Sequence, residues 1–237
     1  MKEYKRTNVY ETADKKLMKK IFDFAEGYKK FLDDGKTERE ACEILVQKAE
    51  KNGFKPLKFG MNYAAGDKLY YNNRGKNLFL IRIGKANLAE AGVRFVAAHI
   101  DNPRLDFKQV PFYEKDDVAF AKTHYYGGIR KYQWTAIPLA LHGVVALKDG
   151  SVVTVKIGED KNDPVFYVSD LLPHLAAKQN VKPLSEAIAG EDLNIWLGNI
   201  PYGEKDEDKT VKKNLLKILE EKYGVQEEDF LSAEMSV

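Results

Sequence analysis

The segment Phe95-Val96-Ala97-Ala98-His99-Ile100-Asp101-Asn102-Pro103 is the most informative part of this 237-residue chain. Its first four residues form an apolar run typical of a buried β-strand, and the Asn-Pro pair ends the run. His99 and Asp101 follow at its end. Residues two apart on a strand project from the same face, so the Asp101 carboxylate can orient the His99 imidazole or share a cation with it. Such a carboxylate is the usual companion of a metal-binding histidine.

The His-x-Asp pattern by itself does not identify a metal site. In most proteins that carry it, the two residues are ordinary surface or core residues. Polar groups at the mouth of a buried strand are nevertheless costly unless they form hydrogen bonds or hold a ligand. At this point the pair therefore has two interpretations, one structural and one as part of a metal site.

The composition is that of a soluble globular protein. Lys and Arg number 38 against 36 Asp and Glu, and they are spread along the chain, so no basic field for nucleic acid is expected. No apolar stretch has the length of a membrane span, and the N-terminal residues lack the apolar region of a signal peptide. Cys42 is the single cysteine, which excludes an internal disulfide and a cysteine-based zinc cluster. We expect a cytoplasmic protein without nucleic-acid or membrane partners.

Helical and strand-like patterns alternate along the chain. Apolar spacing predicts a helix over 14–34 that Gly35 ends, and Thr37 with Glu40 forms a capping-box signal for a second helix to about Ala49. We expect both helices to pack one face on a core. Strands at 68–71 and 78–83 are joined by a turn-rich segment and predict a hairpin.

The later part of the chain favours strands. Strands are predicted around 105–110, 144–148 and 152–157, with short helical structure over 170–179 and an exposed loop over 203–208. A helix is predicted over 208–223, with Gly224 as its C-cap. Helices followed by apolar strands suit an α/β layer arrangement with functional residues at strand ends.

The other residues that can carry chemistry are isolated. His124, His142 and His174 have no partner at metal-ligand spacing, and the sequence contains no His-Glu-x-x-His helix. The motifs of serine hydrolases and nucleotide-binding loops are also absent. We expect His142 to be a strand-end or core residue. The Tyr125-Tyr126-Gly127-Gly128 segment and Trp134 favour a structural turn and a core residue over a substrate wall.

Three ordered segments resemble the M18 family of zinc aminopeptidases, the aspartyl aminopeptidase group. Residues 95–105 resemble the family's first metal-ligand segment. Residues 122–128 and 131–134 are similar to a Tyr-Gly-Gly turn followed by tryptophan, and residues 170–176 resemble a third signature. Together these segments extend over more than half of the chain.

The resemblance implies specific roles for a few residues. His99 matches the histidine that binds zinc, and Asp101 matches the aspartate that supports it. His174 matches a histidine that reaches the active site of a neighbouring subunit, although many members carry a second histidine where this chain has Lys178. The remaining ligands of the two-zinc centre and the glutamate base belong to the family's C-terminal portion, which this sequence does not include.

The resemblance also implies an architecture. Residues 1–104 correspond to the first part of a phosphorylase/hydrolase-like α/β catalytic domain, and residues 105–230 to an inserted β-rich dimerisation domain. Residues 231–237 start to alternate like a strand that returns to the catalytic domain, so the sequence looks cut short. Peptides are the expected substrate, zinc the expected cofactor, and a homodimer that builds into a larger homo-oligomer the expected assembly.

Two other classes of function stay open on the sequence. A naturally short chain that retains the dimerisation domain can be a non-catalytic assembly or binding protein. A small β-rich binding module with an incidental His-x-Asp pair is a third possibility. The number of metal ligands separates the peptidase from the assembly protein, since one histidine does not build a zinc site.

Overall fold

The computed structural model describes residues 3–204 and 208–237, and the chain divides into two compact units, Met1–Asn102 and Pro103–Val237. Both helices and β-sheets are present, which confirms the predicted α/β class. The boundary that we expected near residue 104 falls just inside the second unit.

Two helices dominate the first unit, as predicted. Helix α2 (Lys15–Asp34) begins where the Asp14 side chain accepts a hydrogen bond from the Leu17 backbone, and it ends at Gly35. Helix α3 (Glu38–Lys51) buries Ala41, Cys42 and Ala49. Helix α2 buries none of its residues, so the prediction that it packs on a core is wrong for this helix. The single-turn helices α1 (Val9–Thr12) and α4 (Leu88–Ala91) complete the set.

The predicted hairpin is confirmed. Strands β2 (Lys68–Asn73) and β3 (Asn77–Arg82) pair antiparallel, and the short β1 (Lys55–Pro56) pairs parallel with β2. Arg74 and Gly75 in the connecting turn both have positive φ. That conformation suits the tight two-strand connection that the turn-rich sequence predicts.

Residues 92–103 differ from the sequence-based expectation. They have no regular secondary structure, Phe95 is 82% exposed and Val96 is fully exposed. The predicted buried strand is therefore wrong for this structure. An apolar run becomes a buried strand only when neighbouring strands accept its backbone hydrogen bonds, and no strand in the described part of the chain pairs with it.

The capping box of α3 gives a first testable prediction. The Thr37 hydroxyl accepts a hydrogen bond from the Glu40 backbone, and the Glu40 carboxylate accepts one from the Thr37 backbone at 3.0 Å. We expect Thr37→Ala to lower the free energy of unfolding by about 1 kcal/mol, because α3 loses a partner for its first turn. Urea denaturation measures the change. Thr37→Ser keeps the oxygen and should cost less than half as much, and equal losses would contradict this role.

The second unit contains a six-stranded antiparallel sheet in the order β7-β6-β9-β4-β5-β8. Its strands are β4 (Arg104–Lys115), β5 (Val118–Tyr126), β6 (Leu141–Ala146), β7 (Val152–Ile157), β8 (Ile195–Gly198) and β9 (Ala233–Ser236). A bulge interrupts the β4–β5 register between Phe107 and Phe112. The strands predicted at 105–110, 144–148 and 152–157 are thus part of one sheet.

Strand β9 lies within residues 231–237, for which a return strand to the catalytic domain stays a prediction. It follows a 3₁₀ helix (Glu227–Ser232) and pairs with β6 on one side and β4 on the other. Val237 and Leu105 exchange both backbone hydrogen bonds. The segment therefore lies in the middle of the sheet of the second unit.

One face of this sheet forms the core of the second unit. Fully buried side chains from two strands and from two connecting segments meet there, including Leu105, Val145, Leu193 and Val225. Helix α7 (Thr210–Tyr223) adds Val211 and Leu219 and ends at Gly224 in the left-handed conformation, as predicted. The Glu114 carboxylate accepts a hydrogen bond from the Lys212 backbone in the first turn of α7.

The segments 170–179 and 203–208 were predicted as a short helix and an exposed loop. The helix predicted over 170–179 is a turn followed by α5 (Ala177–Asn180), because Pro173 lies inside the predicted span. Part of the loop predicted over 203–208 lies outside the described residues.

The connections between the strands contain short helical segments, which are α6 (Leu184–Ala187) and two 3₁₀ turns (Lys131–Trp134 and Gly190–Asp192). Among the helices described, none has the length and apolarity that crossing a bilayer requires.

Candidate metal centre

His99 and Asp101 lie next to each other at the end of the first unit. The His99 Nδ1 atom is 2.9 Å from the Asp101 backbone oxygen and 3.4 Å from its carboxylate Oδ1. A carbonyl oxygen only accepts hydrogen bonds, so Nδ1 must carry the proton in this arrangement. The neutral ring then keeps its lone pair on Nε2, and this is the atom that can bind a metal ion.

The His99 Nδ1 atom lies closer to the Asp101 main-chain oxygen than to the Asp101 carboxylate, so the hydrogen bond is assigned to the main chain. Sequence reasoning assigned the orienting role to the carboxylate alone. The His99 side chain is 80% exposed, whereas the Asp101 side chain is 39% exposed. The imidazole is therefore accessible to a ligand from solvent.

Asn102 links this segment to the helical part of the first unit. Its side-chain Nδ2 donates to the Lys36 carbonyl, in the turn between α2 and α3, at 3.4 Å. The sequence analysis gave Asn102 only the role of ending the apolar run. An amide directly after the candidate ligand pair was the signal that could have indicated this anchoring role.

A zinc ion needs more donors than the His99–Asp101 pair offers. Zinc takes three or four nitrogen, sulfur or oxygen ligands from a protein. No group of three His, Cys, Asp or Glu side chains suited to a metal ion occurs among the residues that the structure describes. His99 fits zinc as one donor through its Nε2 atom.

His174 lies apart from this pair in sequence and belongs to the second unit. It is exposed in the turn before α5, and Lys178 lies on α5 itself. Leu175 beside it is 63% exposed. The structure thus leaves the imidazole of His174 open at the surface of its unit.

The other two histidines have different surroundings. His142 is buried on β6, and its Nε2 lies 3.0 Å from the Glu159 carboxylate. This agrees with the expected core position. His124 on β5 is exposed and stacks on Tyr125.

The aromatic and glycine motif forms a turn at the end of β5. The Arg104 guanidinium lies 4.2 Å from the centre of the Tyr126 ring and donates to the Asp106 carboxylate. Gly127 has a φ of 82° where the chain turns. Trp134 is partly buried against the core. These contacts agree with a structural role for the motif.

Comparison with known proteins gives a consistent result. A family model described as "Aminopeptidase I zinc metalloprotease (M18)" matches residues 31–237. The chain is 49% identical to a probable M18 family aminopeptidase 1 of Clostridium acetobutylicum, over 100% of this chain and 51% of the relative. Identity to the corresponding protein of Thermotoga maritima is 41%, over 98% of this chain and 50% of the relative.

Solved structures agree with the sequence matches. The crystal structure of an M18 aminopeptidase from Thermotoga maritima superposes with a TM-score of 0.89 at 40% identity, over 99% of this chain and 50% of the other. The chain spans about half the length of the curated relatives that it matches. The resemblance of the three sequence segments is confirmed, and the chain belongs to the M18 family of aminopeptidase I zinc metalloproteases.

Proposed function

We propose that this chain is the N-terminal part of a zinc-dependent aminopeptidase that releases N-terminal residues from peptides. The observation that carries the proposal is the His99 imidazole, whose Nδ1 lies 2.9 Å from the Asp101 main-chain oxygen. This geometry leaves the Nε2 lone pair available to a metal ion, which supports the proposal for a chain whose family is described as zinc metalloproteases.

Each residue of the pair has a separate task in this proposal. His99 donates the Nε2 lone pair to the metal. The Asp101 main chain fixes the ring tautomer, and its carboxylate, 3.4 Å from Nδ1, favours positive charge on the ring and so strengthens the donor. Bound zinc supplies Lewis acidity, which polarises a peptide carbonyl and acidifies a water molecule.

The full donor set of the proposed two-zinc centre requires polypeptide beyond this chain. Among the described residues, no group of three His, Cys, Asp or Glu side chains could hold a metal ion. We assign the missing carboxylates, the final histidine and the general base to the half of the relatives that this chain does not match.

We further propose that the second unit mediates self-association and presents His174 to the active site of a neighbouring subunit. Five aliphatic side chains close to His174 in sequence are between 54% and 83% exposed: Leu171, Leu172, Leu175, Val181 and Leu184. Apolar side chains exposed together are typical of an interaction surface. The location that we propose is the cytoplasm, in keeping with Cys42 as a buried free thiol.

A non-catalytic assembly protein is the second candidate function. It is favoured by the observation that the described residues contain no group of three side chains that could hold a metal ion. Such a protein would keep the second unit for association with full-length relatives and hydrolyse nothing itself.

A chimera tests the two candidates. This chain is joined to the unmatched half of the Clostridium acetobutylicum relative and assayed on short peptides, with the chain alone as control. We expect the chimera to release N-terminal residues, a chelator to abolish the release, and added zinc to restore it. A folded chimera that binds zinc without hydrolysing any peptide would favour the assembly protein.

A further inference from the structure

The peptide group between Asp101 and Asn102 connects two contacts of the first unit. Its oxygen, the Asp101 carbonyl, accepts the hydrogen bond from His99 Nδ1 at 2.9 Å. On the other side of the same peptide group, the Asn102 side chain donates from Nδ2 to the Lys36 carbonyl at 3.4 Å. A peptide group is planar and rotates as one body. The direction of the oxygen that holds the imidazole therefore depends on how Asn102 is held.

The Lys36 carbonyl belongs to a turn that is restrained on both sides. Before it, the Gly35 backbone donates to the Phe31 carbonyl at 3.0 Å and ends α2. After it, Thr37 is held by the capping box of α3. The two helices approach closely here, because a Cβ added to the buried Gly35 would lie 3.3 Å from the Ala41 Cα. An acceptor between two such restraints is a fixed point for the side chain that donates to it.

The segment that carries His99 has no comparable restraint from secondary structure. Residues 92–103 form neither helix nor strand, and the chain changes from exposed at His99 to half-buried at Ile100 to Asn102. Pro103 narrows the backbone of Asn102 to extended conformations but does not by itself fix the peptide group before Asn102. The contact of the Asn102 side chain with the α2–α3 turn supplies that restraint.

The Asp101 carboxylate is a second acceptor within reach of the imidazole, but it is a less constant one. Its Oδ1 atom lies 3.4 Å from His99 Nδ1, and the Asp101 side chain is 39% exposed. A carboxylate on rotatable side-chain bonds faces the ring in only some of its rotamers. The main-chain oxygen is therefore the acceptor that a fixed peptide group keeps in place.

We propose that Asn102 is a positioning residue for His99, because it holds the 101–102 peptide group so that the imidazole keeps its proton on Nδ1 and presents Nε2 to the metal ion. This inference rests on the proposed role of His99 as a zinc donor. A neutral imidazole that loses its acceptor exchanges between two tautomers, and in the other tautomer Nε2 carries the proton and has no lone pair for a metal. The apparent affinity for zinc falls with the fraction of the competent form.

The metal-free chain tests this inference without any peptidase activity. The ¹⁵N chemical shifts of the His99 ring, measured at alkaline pH where imidazoles are neutral, report which nitrogen carries the proton. We expect the Nδ1–H tautomer to dominate in the wild type. In Asn102→Leu, which keeps the size of the side chain but has no donor, the ratio of tautomers should shift about 2–10-fold towards Nε2–H, the range that one hydrogen bond typically gives.

The controls separate positioning from a general loss of stability. Lys36→Ala removes the lysine side chain but keeps the carbonyl that accepts from Asn102, so it should leave the ratio of tautomers unchanged. Asn102→Ala is a second variant without a donor and should shift the ratio in the same direction as Asn102→Leu. A merely structural role of Asn102 would lower the unfolding temperature in both variants and leave the ring tautomers as they are.

Zinc binding by the chimera gives a second measurement. Asn102→Leu should weaken zinc binding by about the same 2–10-fold, as measured by competition with a chelator, and excess zinc should restore the kcat of peptide release. Excess zinc should not restore His99→Ala, because that variant has lost the donor itself.

The failure of this inference and the failure of the proposed function give different results. An unchanged ratio of tautomers in Asn102→Leu and Asn102→Ala would overturn the positioning role and leave His99 as the donor. Wild-type zinc content in His99→Ala would overturn the proposed function and, with it, the role of Asn102 in metal binding.

Discussion

In the chimera described above, His99→Ala is expected to lower the kcat of peptide hydrolysis by about three orders of magnitude or more. The variant loses the imidazole whose Nε2 is the proposed metal donor, and metal activation of water and carbonyl is worth several kcal/mol of barrier. Bound zinc should fall in parallel, as measured by atomic absorption on dialysed protein. The His99 side chain is 80% exposed, so thermal unfolding of the metal-free protein should change little.

Asp101→Asn is the companion variant that separates binding from orientation. The main-chain oxygen that accepts from His99 Nδ1 at 2.9 Å is retained in this variant, so the ring tautomer is kept. Only the carboxylate is lost, and we expect a decrease of about 10–100-fold in activity with zinc still bound. Wild-type turnover and zinc content in His99→Ala would show that this pair is not the metal site.

Gly143→Ala is expected to have the largest effect on stability. Strands β6 and β9 approach so closely at Gly143 that an added Cβ would lie 2.1 Å from the Glu234 carbonyl oxygen and 2.8 Å from the Met235 Cα. Both neighbours are backbone atoms of the central strand and cannot rotate away. Overpacking a core typically costs 1–3 kcal/mol, and we expect about 3 kcal/mol or more here.

Urea denaturation followed by circular dichroism measures this loss. Gly198→Ala, at the end of β8 in the same unit, is the matched control, because an added Cβ there meets nothing within 4 Å. The control should change stability by less than about 0.5 kcal/mol. Equal stability of the two variants would show that β6 and β9 do not approach as closely as described.

Local signals in the sequence were sufficient for part of the fold. The Thr37–Glu40 capping box, the hairpin around Gly75 and the Gly224 cap each depend on residues close together in the chain, and the structure has all three. Their geometry is decided by short-range hydrogen bonds and by the freedom of glycine to adopt positive φ.

Non-local pairing explains what the sequence did not predict. The apolar residues Phe95 and Val96 are exposed because burial of a strand depends on partners that a local pattern does not contain. The place of β9 between β4 and β6 is also set by contacts between residues far apart in the chain, such as Val144 with Glu234. At the candidate site, the sequence pattern predicted that His99 and Asp101 lie together. The main-chain acceptor of His99 and the contact of Asn102 with Lys36 depend on the backbone conformation, which the pattern does not contain.

The central position of β9 also governs how the second unit can fold. Among the described strands, β9 is the only one that hydrogen-bonds to both the β6–β7 hairpin and the β4–β5–β8 group. These two subassemblies emerge from the ribosome before residues 233–236, but they cannot merge until that last strand is inserted between them. Closing of this sheet therefore waits for residues 233–236, and the contact order of the unit is high, which predicts slow closure and a transient intermediate with two unpaired strand edges for chaperones to shield.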